Sequence, residues 1–183
     1  MKRLSVGILS FFFLMTGCIS DQENTEVVLE KDKQAIEKYI ADNNVTGVKE
    51  FRDETLGFVF IWQEVSGSGL LPTSGDTILV NYTGKFLNDL VFDTSLEDVA
   101  RENNIYNQNR AYEPLLYRFD RGTVIPGFDF AISKMEEGDK MIAFIPSLYA
   151  YGPAGSPPRI PGNTPLIFEL EFLPAQAESE DDE

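Results

Sequence analysis

Between Gly57 and Leu173 the chain is a train of short runs rich in aromatic and β-branched residues, each cut off by Gly, Pro or Ser. Runs of that kind pair into a sheet, and helices among them can only be short. Phe58 to Trp62 stops at Ser66-Gly67-Ser68-Gly69, and Pro72 to Asp76 is another turn. Ile78, Val80 and Tyr82 alternate with Leu79 and Asn81, as on a half-buried strand, and a further strand is expected over Lys85 to Phe92. Ser95-Leu96-Glu97-Asp98 reads as a capping box opening a short helix to Asn104, followed by polar, turn-prone residues to Glu113. Leu115 to Phe119, Met141 to Pro146 and Leu166 to Leu173 complete the strands. The helix among them is predicted over Phe128 to Met135, behind Pro126-Gly127 and closed by Gly138. The pattern is α+β, an antiparallel sheet wrapped around a short helix.

Ahead of the strands, Leu29, Ile36, Tyr39 and Ile40 recur at helical spacing between Glu26 and Asn44. Asp32 is a candidate cap, and Asn43-Asn44 with Gly47 would end the helix. A helix of about three turns is marginal alone, so its apolar stripe should dock on the strand-rich domain. Lys2 and Arg3 precede an apolar run from Leu4 to Met15 that is too short to span a bilayer. Leu14-Met15-Thr16-Gly17-Cys18 resembles the lipobox of bacterial lipoproteins, in which the Cys is acylated; the alternative is an ordinary secretory signal. Ile19 to Thr25 reads as a polar tether and Ala175 to Glu183 as a disordered acidic tail. The expected organisation is a signal over 1–17, a tether and amphipathic helix over 18–50, a domain over 51–174 with an insertion at about 96–113, and the tail over 175–183.

Composition narrows the chemistry. The formal charge is −15, so the chain lacks the basic surface that displaces counterions from nucleic acid. Loss of Lys2 and Arg3 with a signal would take it from −15 to −17, leaving lipid rather than charge to hold the protein on a membrane. The chain has no His, which removes Ser-His-Asp catalysis and His-ligated zinc, and its single Cys cannot form an intrachain disulfide. No cofactor and no metal is expected.

Five blocks in order then carry a family likeness. Val80-Asn81-Tyr82-Thr83-Gly84, Val91-Phe92-Asp93-Thr94-Ser95 and Gly122 to Phe128 are followed by Tyr149-Ala150-Tyr151-Gly152 with the Pro-rich loop Pro157 to Pro161, and by Leu166 to Leu170. Together they resemble the FKBP-type peptidyl-prolyl cis-trans isomerases over roughly Gly57 to Leu173. With the lipobox, the helical leader and the long insertion, the chain is similar to the FKBP-type lipoproteins of gliding Gram-negative bacteria.

The resemblance implies a proline pocket lined by Tyr82, Phe92, Val124, Ile125, Phe128 and Phe168, with Leu115 on its wall. It implies that the Ile125 N–H and the Tyr151 hydroxyl hold substrate carbonyls, and that Asp93 sits at the mouth bonded to Tyr82 or an insertion residue. Ile160 and Ser156 fall on the family's flap loop. Two departures stand out: Phe128 where Trp is common, and Leu115 where Phe often stands. The insertion, with Tyr106, Arg110 and Tyr112, is either a substrate lid or a surface loop. The implied partners are proline-containing clients and, through Cys18, the cell-envelope membrane, the outer favoured over the inner; the implied state is a monomer. The rival readings are a proline-binding chaperone that does not turn over and an envelope accessory module.

Overall fold

The computed structural model describes residues 21–174. Cys18, the lipobox, the signal and the acidic tail lie outside the described residues.

The leader helix, α1, runs Asp21–Asp42. It is longer than the sequence suggests, so Asp21 to Thr25, expected in the tether, are helical. Asn44, in the left-handed region at φ 49°, ends it one residue after Asn43 bonds back to Tyr39. Asp32 is not a cap. It sits mid-helix, 4% exposed, because its partner is distant Ser147.

Strands β1 (Lys49–Asp53), β2 (Phe58–Glu64), β3 (Thr77–Phe86), β4 (Val91–Thr94), β5 (Leu115–Arg118), β6 (Lys140–Ile145) and β7 (Leu166–Leu173) form one seven-stranded antiparallel sheet. Its order is β1-β2-β6-β7-β3-β4, and β5 also pairs with β3. The strand expected over Lys85 to Phe92 is two pieces. β3 continues through Phe86, and the chain reverses at Asp89, whose φ of 65° is a turn conformation, before β4. β1 was not foreseen; Lys-Glu-Phe-Arg-Asp offers one apolar residue, and its place is set by Phe51 stacking on Phe60 at 5.5 Å.

Two short helices complete the fold. α2 (Glu97–Glu102) has no side-chain cap at Leu96. The expected capping box does not form, because the Ser95 hydroxyl instead accepts the Tyr82 N–H at 3.0 Å. α3 is Pro126–Ile132, starting two residues earlier than expected: Pro126 fits the first helical position, where no N–H donor is needed.

Alternation divides the sheet's two faces. Phe58, Phe60 and Trp62 of β2 and Met141, Ala143 and Ile145 of β6 face the large core with α3, joined by Phe168 and Leu170 of β7. Val59, Ile61, Phe144 and Ile167 face the other way, onto Ile36 and Ile40 of α1. The result is an α+β fold, a leader helix on one face of an antiparallel sheet and a short helix in the curve of the other.

Candidate functional site

The concave face does not close completely. Between β3, β4, β7 and the start of α3 lies a cavity of about 470 Å³. Register delivers its walls: Gly84 pairs with Asp93 on one side and Phe168 on the other, so β4 and β7 bring Phe92 and Phe168 to the same place. Gly84 itself must lack a side chain, since a Cβ there would lie 2.5 Å from the Phe92 ring. Phe128 of α3 meets Phe168 edge-on at 5.3 Å and Tyr82 at 6.2 Å, and Phe92 meets Phe168 the same way at 5.8 Å. Edge-to-face contacts fix ring planes and add attraction beyond burial, so these walls resist collapse.

α3 is set close beneath. Gly127 abuts β6 so tightly that a Cβ would come 2.3 Å from the Ile145 side chain. Ile125, extended at φ −61°, ψ 144°, precedes the helix, and its carbonyl accepts the N–H of Phe128 at 3.0 Å. Its own N–H has no partner among the described residues. Val124 and Leu115 line the cavity beside it, Leu115 being placed by pairing with Val80. Tyr151 enters from the loop after β6; its hydroxyl makes no hydrogen bond among the described residues. Burial, with the Asp93 charge nearby, pushes the Tyr151 pKa up, so it is a phenol donor at neutral pH.

At the mouth stands a triangle of polar groups. The Tyr82 hydroxyl donates to Asp93 Oδ2 at 2.7 Å, Arg110 Nη1 donates to Asp93 Oδ1, and Arg110 Nη2 donates to the Tyr82 oxygen at 3.1 Å. Burial first, and then Asp93, push the Tyr82 pKa up to about 12, so it too stays protonated. Both partners considered for Asp93 are therefore present. Arg110 comes from the insertion, which folds against itself: Tyr106 and Tyr112 stack at 5.6 Å, Arg101 lies 3.6 Å over Tyr106, and the Tyr112 oxygen accepts the Asn107 N–H at 2.9 Å.

Of the residues singled out in the sequence, Tyr82, Phe92, Asp93, Leu115, Val124, Ile125, Phe128, Tyr151 and Phe168 surround this one cavity. Ile160 does not; it is buried in the main core, its N–H bonded to the Ser156 carbonyl at 3.0 Å. Thr123 and Pro126 line the cavity unforeseen, though both sit in the block that contains Ile125. The sequence points to an insertion residue beside Asp93, but no pattern in it singles out Arg110, 17 positions away, from Tyr106 and Tyr112. A second depression, about 320 Å³, lies across the sheet among Gln63, Lys140, Glu169 and Glu171. Leu96, Met141, Ile142 and Leu170 line it as well, but of the residues that the family resemblance assigns to the proline pocket only Tyr82 reaches it. Among the described residues no cluster of three or more Cys, Asp or Glu could hold a metal.

Comparison with known proteins agrees with this architecture. The sequence model of the FKBP-type peptidyl-prolyl cis-trans isomerases matches residues 70–173. FK506-binding protein 1 of Eremothecium gossypii is 38% identical over 102 residues, covering 56% of this chain and 78% of that protein. Peptidyl-prolyl cis-trans isomerase FKBP2 of Mus musculus is 38% identical over 106 residues, 58% of this chain and 66% of that one. FKBP-type peptidyl-prolyl cis-trans isomerase FkpA of Escherichia coli is 33% identical over 171 residues, reaching 85% of this chain but 57% of its own length. That last likeness must extend beyond the matched domain into the leader. The chain belongs to the FKBP-type peptidyl-prolyl cis-trans isomerase family and is an isomerase of that type.

Proposed function

We propose that the chain assists folding of extracytoplasmic proteins by binding X-Pro segments in the aromatic cavity and favouring the twisted amide. One observation carries the reading: a preformed apolar cavity lined by two donors without a partner among the described residues, the Ile125 N–H and the Tyr151 hydroxyl. Amide resonance imposes a barrier of about 18–20 kcal/mol on X-Pro rotation. At the top of that barrier the nitrogen has lost conjugation and the carbonyl its polarity, so a dry wall suits the twisted form better than the planar one. The two donors would hold flanking carbonyls while the ring stays in the pocket. Each tenfold acceleration needs about 1.4 kcal/mol of such preference, which desolvation and a few hydrogen bonds can supply. No proton moves, which fits a chain without His.

The direct experiment is a protease-coupled measurement of cis–trans exchange on a panel of X-Pro peptides. Acceleration is expected. Peptide binding without acceleration would replace this reading with that of a proline-binding chaperone.

The same proposal includes place. Cys18 in its lipobox would anchor the chain by lipid in an extracytoplasmic compartment, favouring the outer membrane, with the domain working as a monomer on proline-containing clients. Among the described residues no helix is long and apolar enough to cross a membrane. Cys18→Ser should release the protein from membranes; a processed variant that still resists a high-salt wash would refute lipid anchoring. The leader and insertion favour a role resembling that of envelope lipoproteins of gliding bacteria, and loss of surface spreading on deletion is the check.

A further inference from the structure

We infer that Asp32, on the leader helix, is a positioning residue for the isomerase site, fixing the loop that carries Tyr151. Asp32 is nearly inaccessible, and its Oδ2 accepts both the N–H and the hydroxyl of Ser147, at 2.8 and 2.6 Å. Ile36 and Ile40, on the next turns, dock the same helix by burial alone. A carboxylate in that position costs desolvation that an aliphatic residue would avoid, so what it adds is direction.

Ser147 is where the chain leaves β6. A single 3-10 turn, Ser147–Tyr149, is followed by Tyr151 and then a second such turn, Gly152–Ala154. Backbone bonds carry the constraint forward: Ala150 N–H to the Ser147 carbonyl at 3.1 Å, and Gly155 N–H to the Tyr151 carbonyl at 3.1 Å. Among the described residues, no other side-chain hydrogen bond reaches Ser147 to Ala154. Packing alone is loose on the outer side, where a cavity of about 250 Å³ separates Val28 from Leu148 and Pro153. On the inner side the Tyr149 ring lies 4.8 Å from Phe58, and the Tyr149 carbonyl abuts Gly127 of α3. Asp32 therefore clamps the loop against α3, so that the Tyr151 hydroxyl keeps a fixed relation to the Ile125 N–H.

This inference rests on the proposed use of Tyr151, and the test separates the two. Kinetic constants for one X-Pro peptide are measured with the full chain as wild type, Asp32→Ala, Tyr151→Phe and the double variant. Each single change is expected to lower kcat/KM roughly three- to tenfold, mainly in kcat, with the double variant no slower than the slower single. Asp32→Asn retains an oxygen acceptor for Ser147 and should restore the rate. If Asp32→Ala does not fold, Ser147→Ala takes its place in the cycle with the same expectation. Losses that multiply, or an Asp32→Asn variant as slow as Asp32→Ala, overturn the inference, as does a Tyr151→Phe variant at the wild-type rate. A Phe92→Ala variant at the wild-type rate would instead overturn the site itself.

Discussion

The same sheet carries a helix on each face, and the two interfaces close to different degrees. On the outer face α1 lays Ile36 and Ile40 onto Val59, Ile61, Phe144 and Ile167, and these residues bury one another. On the inner face α3, seven residues long, buries Phe128, Ala131 and Ile132, yet a cavity of about 470 Å³ remains beside it. The difference lies in side-chain shape as well as helix length. Where Ile36 and Ile40 meet the sheet, branched aliphatic groups and Phe144 interdigitate and fill space, and the 250 Å³ gap lies at the other end of α1, by Val28. Phe92, Phe128 and Phe168 meet near-perpendicularly, with interplanar angles of 85° and 89°, and rings so arranged prop each other apart. One face spends its apolar surface on stability, and the other keeps part of it available to a ligand.

Removing a prop tests that contrast most severely. Phe92→Ala should cost about 3–5 kcal/mol of stability as a large-to-small change. On the folded enzyme it should also lower kcat/KM by roughly a hundredfold, equivalent to about 2.7 kcal/mol of lost preference for the twisted amide. The coupled peptide assay and urea denaturation read the two effects separately. An unchanged rate would mean that the cavity is not the site.

The matching change on the outer face should separate stability from activity. Ile40→Ala, two turns beyond Asp32, is expected to cost about 2–5 kcal/mol, with kcat/KM of the folded protein within about twofold of wild type. Denaturation midpoints and rates at a temperature where both proteins are folded decide it. A large kinetic loss would show that the two faces are not independent.

The two faces were also unequally legible in the sequence. β2 and β7 announce themselves because a strand buried on both sides must be apolar throughout, and Phe58 to Trp62 and Leu166 to Leu170 are nearly so. The aromatic walls were readable for the related reason that they come in blocks of fixed order. What could not be read was polar and distant. Asp32 between Lys31 and Lys33 looks like any helical acid, and its partner lies 115 positions away. Ser95 offers the pattern of a capping box, but a hydroxyl bonds to whichever donor the fold brings nearest, here Tyr82 N–H. β1, at the sheet edge, needs one inward Phe only, and a single Phe is no pattern.

Arg110 belongs to the polar network at the mouth rather than to the aromatic wall, and a smaller effect is expected there. It is about one-third exposed, and ion pairs of that kind contribute about 0–1 kcal/mol. Arg110→Ala should leave the fold intact and lower kcat/KM roughly threefold, by removing the guanidinium that bridges Asp93 and the Tyr82 oxygen while their own bond remains. Raising salt should shrink the gap between variant and wild type, because a partly exposed pair is screened. Asp93→Leu should be similarly mild, since no proton transfer depends on that carboxylate. A loss as deep as that of Phe92→Ala would make the network, rather than the apolar wall, the principal agent.

The smallest expected effects concern pH, and they separate the faces once more. At the cavity, Tyr82 titrates only near 12 and Tyr151 is shifted upward, so kcat/KM should be flat between about pH 6 and 8. The outer face should respond instead through stability. Burial raises the Asp32 pKa above the ordinary 3.8, and the two Ser147 bonds only partly oppose it. The folded protein therefore holds this proton more tightly than the unfolded chain does. Its contribution to stability is complete below the unfolded value and is lost as pH rises through the folded one. Asp129 is shifted in the same direction, again chiefly by burial, but it is common to both proteins and cancels in a comparison. On acidification from pH 7 toward pH 4, wild type should thus gain stability relative to Asp32→Asn, as read by urea denaturation at each pH. The reverse slope would mean that the Ser147 bonds outweigh burial, and that Asp32 is held as a stabilised carboxylate.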